Sequence, residues 1–205
     1  MSVGDFVYYL GADYVLSDPR LVERAIGLLQ SERADAAIIS LTYDAGRSYW
    51  SQVRAFEKAT FVGDDLYEAA RLFRKSLFDR LGGYDESMVA YEEHDLHNRV
   101  LAIGGKIVRV PPPGEVNIGD PPSLSGYVRK YWYYGKTIRT YMKKYPRKAV
   151  LQLFPLRLSF WKSRRAILSQ PSLVPGFFVY QFFRYLAAIM GAAVVSIHRT
   201  PSRRG

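Results

Sequence analysis

The stretch YYLGADYVLSDP, Tyr8 to Pro19, decides how the rest of the sequence is read. Phe6 to Leu10 are largely apolar, as a buried strand requires, and they run into a turn that carries one carboxylate, Asp13. Past the turn, DPRLVERAIGLLQSE sets Leu21, Ala25, Leu28 and Leu29 at helical spacing, with Asp18 expected as the cap and Pro19 in the first helical position. Strand, acidic turn and helix in this order predict an α/β layer. Ligands of such layers sit beyond the carboxyl ends of the strands, and Asp13 lies just past one.

The same alternation continues downstream. ADAAIISLTY reads as a second buried strand and SYWSQVRAFEKATF as a helix. AARLFRKSLFDRLGGYDE reads as a short strand and a helix closed by Gly82 and Gly83. YEEHDLHNRVLAIGG reads as a helix ended by Gly104 and Gly105, and KIVRVPPP as a strand that prolines stop. Strands alternating with helices predict an α/β domain with a mainly parallel sheet over residues 1–120. Prolines and glycines cluster in PPPGEVNIGDPPSLSG, which marks the boundary to a second region, residues 121–205.

Charge divides at the same place. Of the 205 residues, the first 120 hold all 19 acidic residues and 13 of the 29 Lys and Arg, a net charge of −6. The remaining 85 hold 16 Lys and Arg and no acid, a net charge of +16. A sign change of this size within one chain points to two jobs, the second facing something anionic. The absence of cysteine excludes disulfides, thiolate metal sites and thiol catalysis. A hydrophobic content of 48%, with 15% aromatic, excludes a disordered chain. The first ten residues carry Asp5 and no basic run, so they do not read as a secretory leader.

In the second region, YVRKYWYYGKTIRTYMKKYP places Tyr127, Tyr131, Tyr134, Ile138 and Tyr141 on one helical face and Arg129, Lys136 and Lys143 on another. Aromatic and basic faces on one helix suit a membrane surface, with Tyr131, Trp132, Lys136, Arg139 and Lys143 as the contacting residues. Residues 176–197, GFFVYQFFRYLAAIMGAAVVSI, are about long enough to span a bilayer, but Gln181 and Arg184 interrupt them. An interfacial or re-entrant helix is the preferred reading over a single span. Docking to a protein partner is the alternative. Nucleic-acid binding is not expected, because long uncharged Leu, Ile, Val, Ala and Phe runs serve no solvated phosphate-binding arm.

Chemistry concentrates in GGYDESMVAYEEHDLHNR, Gly82 to Arg99. Glu92, Glu93 and Asp95 crowd one helix start, where the helix dipole tolerates them and mutual repulsion raises at least one pKa. Such a group suits a general base; an acidic helix terminus without a chemical role has the same pattern. His94 and His97 are expected to face solvent rather than a metal. Ser48, Ser51 and Ser76 lack a His-Asp context, and the chain has no phosphate-cradling glycine loop.

GGYDESMVAYEEHDLHNR resembles the signature of family 2 glycosyltransferases of the GT-A fold, in which a glycine pair with an aromatic and an acidic residue precedes an acidic pair, Asp-Leu and a downstream Arg. YYLGADYVLSDP resembles the strand of the same family that leads into its Asp-x-Asp motif. The resemblance implies a partial GT-A, Rossmann-like sheet followed by a mostly helical, basic amphipathic region. It implies an inverting transfer of a sugar from a nucleotide-sugar donor to a hydroxyl of a glycan or lipid-linked acceptor, at the cytoplasmic face of a membrane. Glu93 stands where the family has its base, and Glu92 and Asp95 would support it. Gly82, Gly83 and Tyr84 would form the turn on the acceptor side, with Arg99 pairing with Asp95. Asp13 would hold a divalent metal, Mn2+ or Mg2+, at the donor diphosphate.

The sequence departs from that pattern in four places. Gly11 replaces the first aspartate of the motif, and Glu93 replaces the usual Asp. GEVNIGD offers Asn117 and Asp120 where many relatives have a metal-binding His. Finally, the resemblance covers residues 4–120 alone, the carboxyl-terminal half of such a domain. The half that grips the nucleobase would come from a longer reading frame or a separate polypeptide, or else the chain has adapted to another role, as a non-catalytic membrane scaffold or partner subunit.

Overall fold

The computed structural model describes residues 4–46, 48–154, 160–161 and 163–198. Residues 155–159 and 199–205, which the sequence reading assigns to the basic second region, lie outside the described residues. The chain forms a layered α/β structure around two small mixed sheets. The first sheet has the order β1 (Phe6–Tyr8), β5 (Ala70–Arg74), β3 (Ala36–Ile38), β6 (Ile107–Arg109). The second has the order β2 (Tyr14–Leu16), β7 (Glu115–Asn117), β4 (Leu41–Tyr43).

Neither sheet is mainly parallel, contrary to the expectation from alternation. β5 runs antiparallel to both β1 and β3, and β2 runs antiparallel to β7; only β3–β6 and β4–β7 are parallel. Two further differences have local causes. ADAAIISLTY is two strands, because the chain leaves the first sheet after Ile38 and enters the second at Leu41. The proline- and glycine-rich boundary contains β7, whose three residues pair with β2 on one side and β4 on the other. Apolar periodicity is too short there to announce a strand.

Period-2 alternation in β3 divides the core. Ala37, with Ile39 and Leu72, packs under helix α1 (Leu21–Ser31) through Leu21, Ala25 and Leu29. Ala36 and Ile38, with Ala70 and Phe73, pack on the other face under α3 (Lys75–Arg80) and α4 (Glu92–Ala102) through Leu77, Leu96 and Val100. Each such large side chain, removed from water, contributes about 1.5–3 kcal/mol. Helix α1 begins at Leu21, two residues after Pro19. Asp18 still accepts at the turn, from the Arg20 N–H at 2.9 Å.

Helix α2 (Tyr49–Ala59) starts at Ser48, whose hydroxyl accepts from the Ser51 N–H. Beyond residue 120 come α5 (Leu124–Lys144), α6 (Pro146–Leu153), α7 (Arg164–Leu168) and α8 (Val174–His198), the last entered through a 3-10 turn at Pro171–Leu173. The charge boundary is not a break in packing: Val53 and Phe56 of α2 share one apolar cluster with Tyr127, Leu173, Phe177 and Tyr180.

The aromatic face of α5, which the sequence suggested for a membrane surface, belongs to this interior. Tyr127 and Tyr141 are fully buried and Ile138 nearly so. Tyr131 also turns inward, its hydroxyl 2.9 Å from that of Tyr180. Helices α5 and α8 run side by side in the same direction, since Tyr127, Tyr131 and Gly135 meet Tyr180, Arg184 and Ala188 in turn. Their backbones touch: a Cβ on Gly135 would strike the Ala188 carbonyl, and one on Gly191 would strike that of Trp132.

One helix, spanning Pro171–Val194 with its entry turn, is long and apolar enough to cross a membrane. Its docked face is buried at Tyr180, Gln181, Arg184 and Ala187, and its outer face exposes Phe178, Phe182, Leu186, Ile189 and Met190. Gln181 and Arg184, the two polar interruptions, are both bound to the buried Glu57 of α2. They fasten the helix to the rest of the chain.

Candidate active site

Tyr91, immediately before α4, adopts a left-handed backbone conformation with φ +70°, which a bulky side chain rarely takes. Its ring is held by stacking on Tyr141 at 4.8 Å between centroids. Within the first turn of α4, helical spacing puts Glu93 and Asp95, two residues apart, on different faces.

Glu92 and Glu93 line a cavity of about 1050 Å³ between the sheets and the α5–α8 pair. Asp95 points away from it and is completely buried, held by Arg99 at 2.8 Å, Lys144 at 2.6 Å and the Tyr145 hydroxyl at 2.8 Å. Arg99 also donates to the carbonyls of Leu81 and Gly83, at 2.6 and 2.5 Å. Asp95 and Arg99 therefore pin the glycine turn to α4. Gly82, Gly83 and Tyr84 do not line the cavity; the Tyr84 ring packs against Tyr9, Phe73 and Phe78.

The two cavity carboxylates differ in their surroundings. Glu93 accepts from Arg71 of β5 at 2.5 Å, and Arg71 donates its other arm to Glu115 of β7 at 2.6 Å. Tyr8 of β1 donates to the same Glu115. The Arg71 guanidinium also lies over the Tyr14 ring, 4.8 Å from its centroid. Four strands and the start of α4 thus converge on one fork of hydrogen bonds. Glu92 has no such cation against it. Burial, then the charge of Glu93, raise its pKa from 4.5 to about 7.

Basic groups line the same cavity. Arg54 of α2 is engaged with Glu57 at 2.5 Å and with the Tyr43 hydroxyl at 2.8 Å. Lys130 of α5 pairs with Asp120. Lys58 of α2 lines the cavity, and its side chain makes no hydrogen bond or ion pair among the described residues. Burial pulls its pKa down to about 8, the charges of Glu68 and Glu93 acting against this and those of Arg54 and Arg71 with it.

The histidines are not solvent-facing. His97 is buried and its Nδ1 accepts from the Ala70 N–H at 3.1 Å, while His94 lines the cavity 3.3 Å from the Gln152 amide. Burial lowers both pKa values, to about 3 for His94 and about 4 for His97, so both rings are neutral at physiological pH.

Asp13 lies apart from the carboxylate pair, in the turn before β2, exposed and with no side-chain partner among the described residues. It packs over Gly119, where a Cβ would overlap its carboxylate. Asn117 is committed to the N–H groups of Gly119 and Asp120, and Asp120 to Lys130 and Arg54. Among the described residues, no three His, Cys, Asp or Glu side chains gather as a metal site. Of the residues read as membrane-contacting, Arg139 and Lys143 are exposed at the cavity rim, and Lys136 covers the Trp132 ring at 3.7 Å.

Sequence reasoning missed Arg71, Lys58, Glu115 and Tyr8. The available signal was a charge within each buried apolar segment, Arg71 in AARLFR and Glu115 in GEVN. The sequence matches no protein-family model and no curated protein significantly.

Proposed function

We propose that the chain is the acceptor-side part of a membrane-associated glycosyltransferase of the GT-A type, moving a sugar from a nucleotide-sugar donor to a hydroxyl of a glycan or lipid-linked acceptor. The observation that carries this reading is the pairing of Glu92 and Glu93 in one large cavity, with Glu93 aimed by the Arg71–Glu115 fork. A base must hold one orientation toward the acceptor proton, and the Arg71 guanidinium, itself anchored on Glu115, holds Glu93 through one charge-assisted hydrogen bond. Glu93 takes the proton as the acceptor oxygen attacks the anomeric carbon and the nucleoside diphosphate leaves. Glu92 and Asp95 play unequal parts, the first beside the base and the second in the foundation of α4.

Asp13 fits a single-carboxylate ligand of Mn2+ or Mg2+, since hard divalent ions commonly take one or two carboxylates and fill the rest of the shell with water and substrate phosphates. When bound, such an ion supplies positive charge at the departing diphosphate. Gly11 cannot add a second carboxylate without rearrangement, because its Cβ would lie 3.0 Å from the Tyr14 ring that packs under Arg71.

The membrane part of the reading rests on α8. Its fastening to Glu57 and its exposed Phe178, Phe182 and Ile189 favour a helix lying in the interface over one crossing the bilayer. The cytoplasmic face is what the proposed nucleotide-sugar donor implies. The single Asp13 carboxylate favours a second reading, a non-catalytic membrane partner of a complete transferase. The test is release of nucleoside diphosphate by the full chain on anionic phospholipid vesicles, over a panel of nucleotide sugars. Release with one donor supports the transferase. A folded, vesicle-bound chain that releases none, and gains release only when a second polypeptide is added, supports the partner subunit.

A further inference from the structure

The cavity has two chemically different walls. Lys58, Arg71, Glu92 and Glu93 make one charged; Ile138 and Met142 of α5 with Ala188, Ile189 and Ala192 of α8 make the other apolar. An aliphatic wall of this kind removes hydrocarbon from water more fully with an alkyl chain than with the hydroxyl-rich rim of a soluble glycan. That wall is also continuous with the outside. Ile189 is 66% exposed and lines a further apolar groove with Phe178 and Phe182 on the outer face of α8. Ile189 thus borders both the outer groove and the cavity that holds the carboxylate pair. At the charged end waits Lys58, a cation without an ion-pair partner among the described residues.

Resting on the transferase reading, we infer that the acceptor is an anionic lipid: its chain lies against α5 and α8, its phosphate on Lys58, and its hydroxyl-bearing head at Glu93. In the transfer, the acceptor oxygen bonds to the anomeric carbon of the donor sugar as the bond from that carbon to the diphosphate breaks. The electron pair leaves with the diphosphate, and the hydroxyl proton passes to Glu93. Arg139 and Lys143, exposed at the rim, receive the anionic headgroups of the surrounding surface. The charge complementarity of Lys58 and the small side chains at Ala188 and Ala192 are what select this occupant over a protein segment.

The experiment uses the full chain in phosphatidylcholine vesicles and a long-chain alkyl phosphate bearing a diazirine in its chain. Photolabelled residues are mapped by mass spectrometry. Labelling of the 138–142 and 188–192 segments is expected, competed by dodecyl phosphate but not by inorganic phosphate or dodecyl maltoside. Lys58→Gln should lower it at least fivefold, and Ala192→Phe should abolish it; circular dichroism establishes that each variant is folded. If Ala192→Phe does not fold, Lys58→Gln decides alone. Label confined to the Phe178 and Phe182 face, or unchanged in Lys58→Gln, overturns the inference. The labelling needs no donor, so its result stands whether or not sugar transfer is found. Transfer to a soluble glycan without cavity labelling would refute the lipid acceptor and leave the transferase reading intact.

Discussion

Arg71 joins two carboxylates from distant parts of the chain, Glu93 at 2.5 Å and the completely buried Glu115 at 2.6 Å. One guanidinium thereby ties the start of α4 to the second sheet. Replacing it with Met leaves buried charge uncompensated, and the expected loss of stability is about 3–5 kcal/mol by chemical denaturation. Arg71→Lys keeps the charge but not the fork. It should fold, with kcat for transfer down about 10- to 100-fold and KM for the donor little changed. A kcat that returns to the parent value once corrected for the folded fraction would mean that Arg71 only supports the fold.

Glu92 predicts a pH dependence of stability. Its pKa rises from 4.5 to about 7 on folding, so the folded chain binds a proton that the unfolded chain releases between those values. Stability from the neutral form is present below pH 4.5 and lost as pH rises through 7. Glu92→Gln, always neutral, should therefore match the parent at pH 4 and exceed it at pH 8 by about 1–2 kcal/mol, allowing for solvent screening. Urea unfolding at both pH values reads this directly. A gain that is the same at pH 4 and pH 8 would show that Glu92 titrates normally.

Gly135 and Gly191 predict the strength of the α5–α8 contact. Each Cβ site is filled by a carbonyl of the facing helix, so Gly135→Ala and Gly191→Ala should each cost about 1–3 kcal/mol through overpacking. Intrinsic propensity acts the other way, favouring Ala over Gly in a helix by about 1 kcal/mol. Thermal unfolding of the two variants decides between them. A rise in Tm for either would mean that the helices separate readily.

The layered α/β class, the helices at 49–59, 92–102 and 124–144, and the carboxylate pair were legible because each rests on local pattern. Apolar residues at helical spacing, or a glycine pair after α4, can be read without knowing what they touch. What could not be read depends on partners far along the chain. The antiparallel setting of β5 follows from its pairing with β1 and β3, not from anything within ARLFR. Tyr127, Tyr131 and Tyr141 look the same on a membrane-facing and a core-facing helix; apolar cover from α2 and α8 decides for the first two, and Met88, Ala149 and Leu153 decide for Tyr141. Asp95 and Glu93, two residues apart in α4, necessarily point to different faces, but that Arg99 and Lys144 would bury the first and Arg71 meet the second depends on residues far along the chain. His94 and His97 share a helix face with no sign in the sequence that Gln152 and Ala70 would cover them.

The central claim is that Glu93 is the base of a sugar transfer, and the most direct test is Glu93→Gln. The variant keeps the shape of the side chain and removes its capacity to take a proton. With the donor identified by diphosphate release, turnover should fall by about 10²–10⁴-fold, with donor Kd within a factor of about three of the parent. Turnover undiminished in a folded Glu93→Gln chain would remove Glu93 from the chemistry and contradict the account.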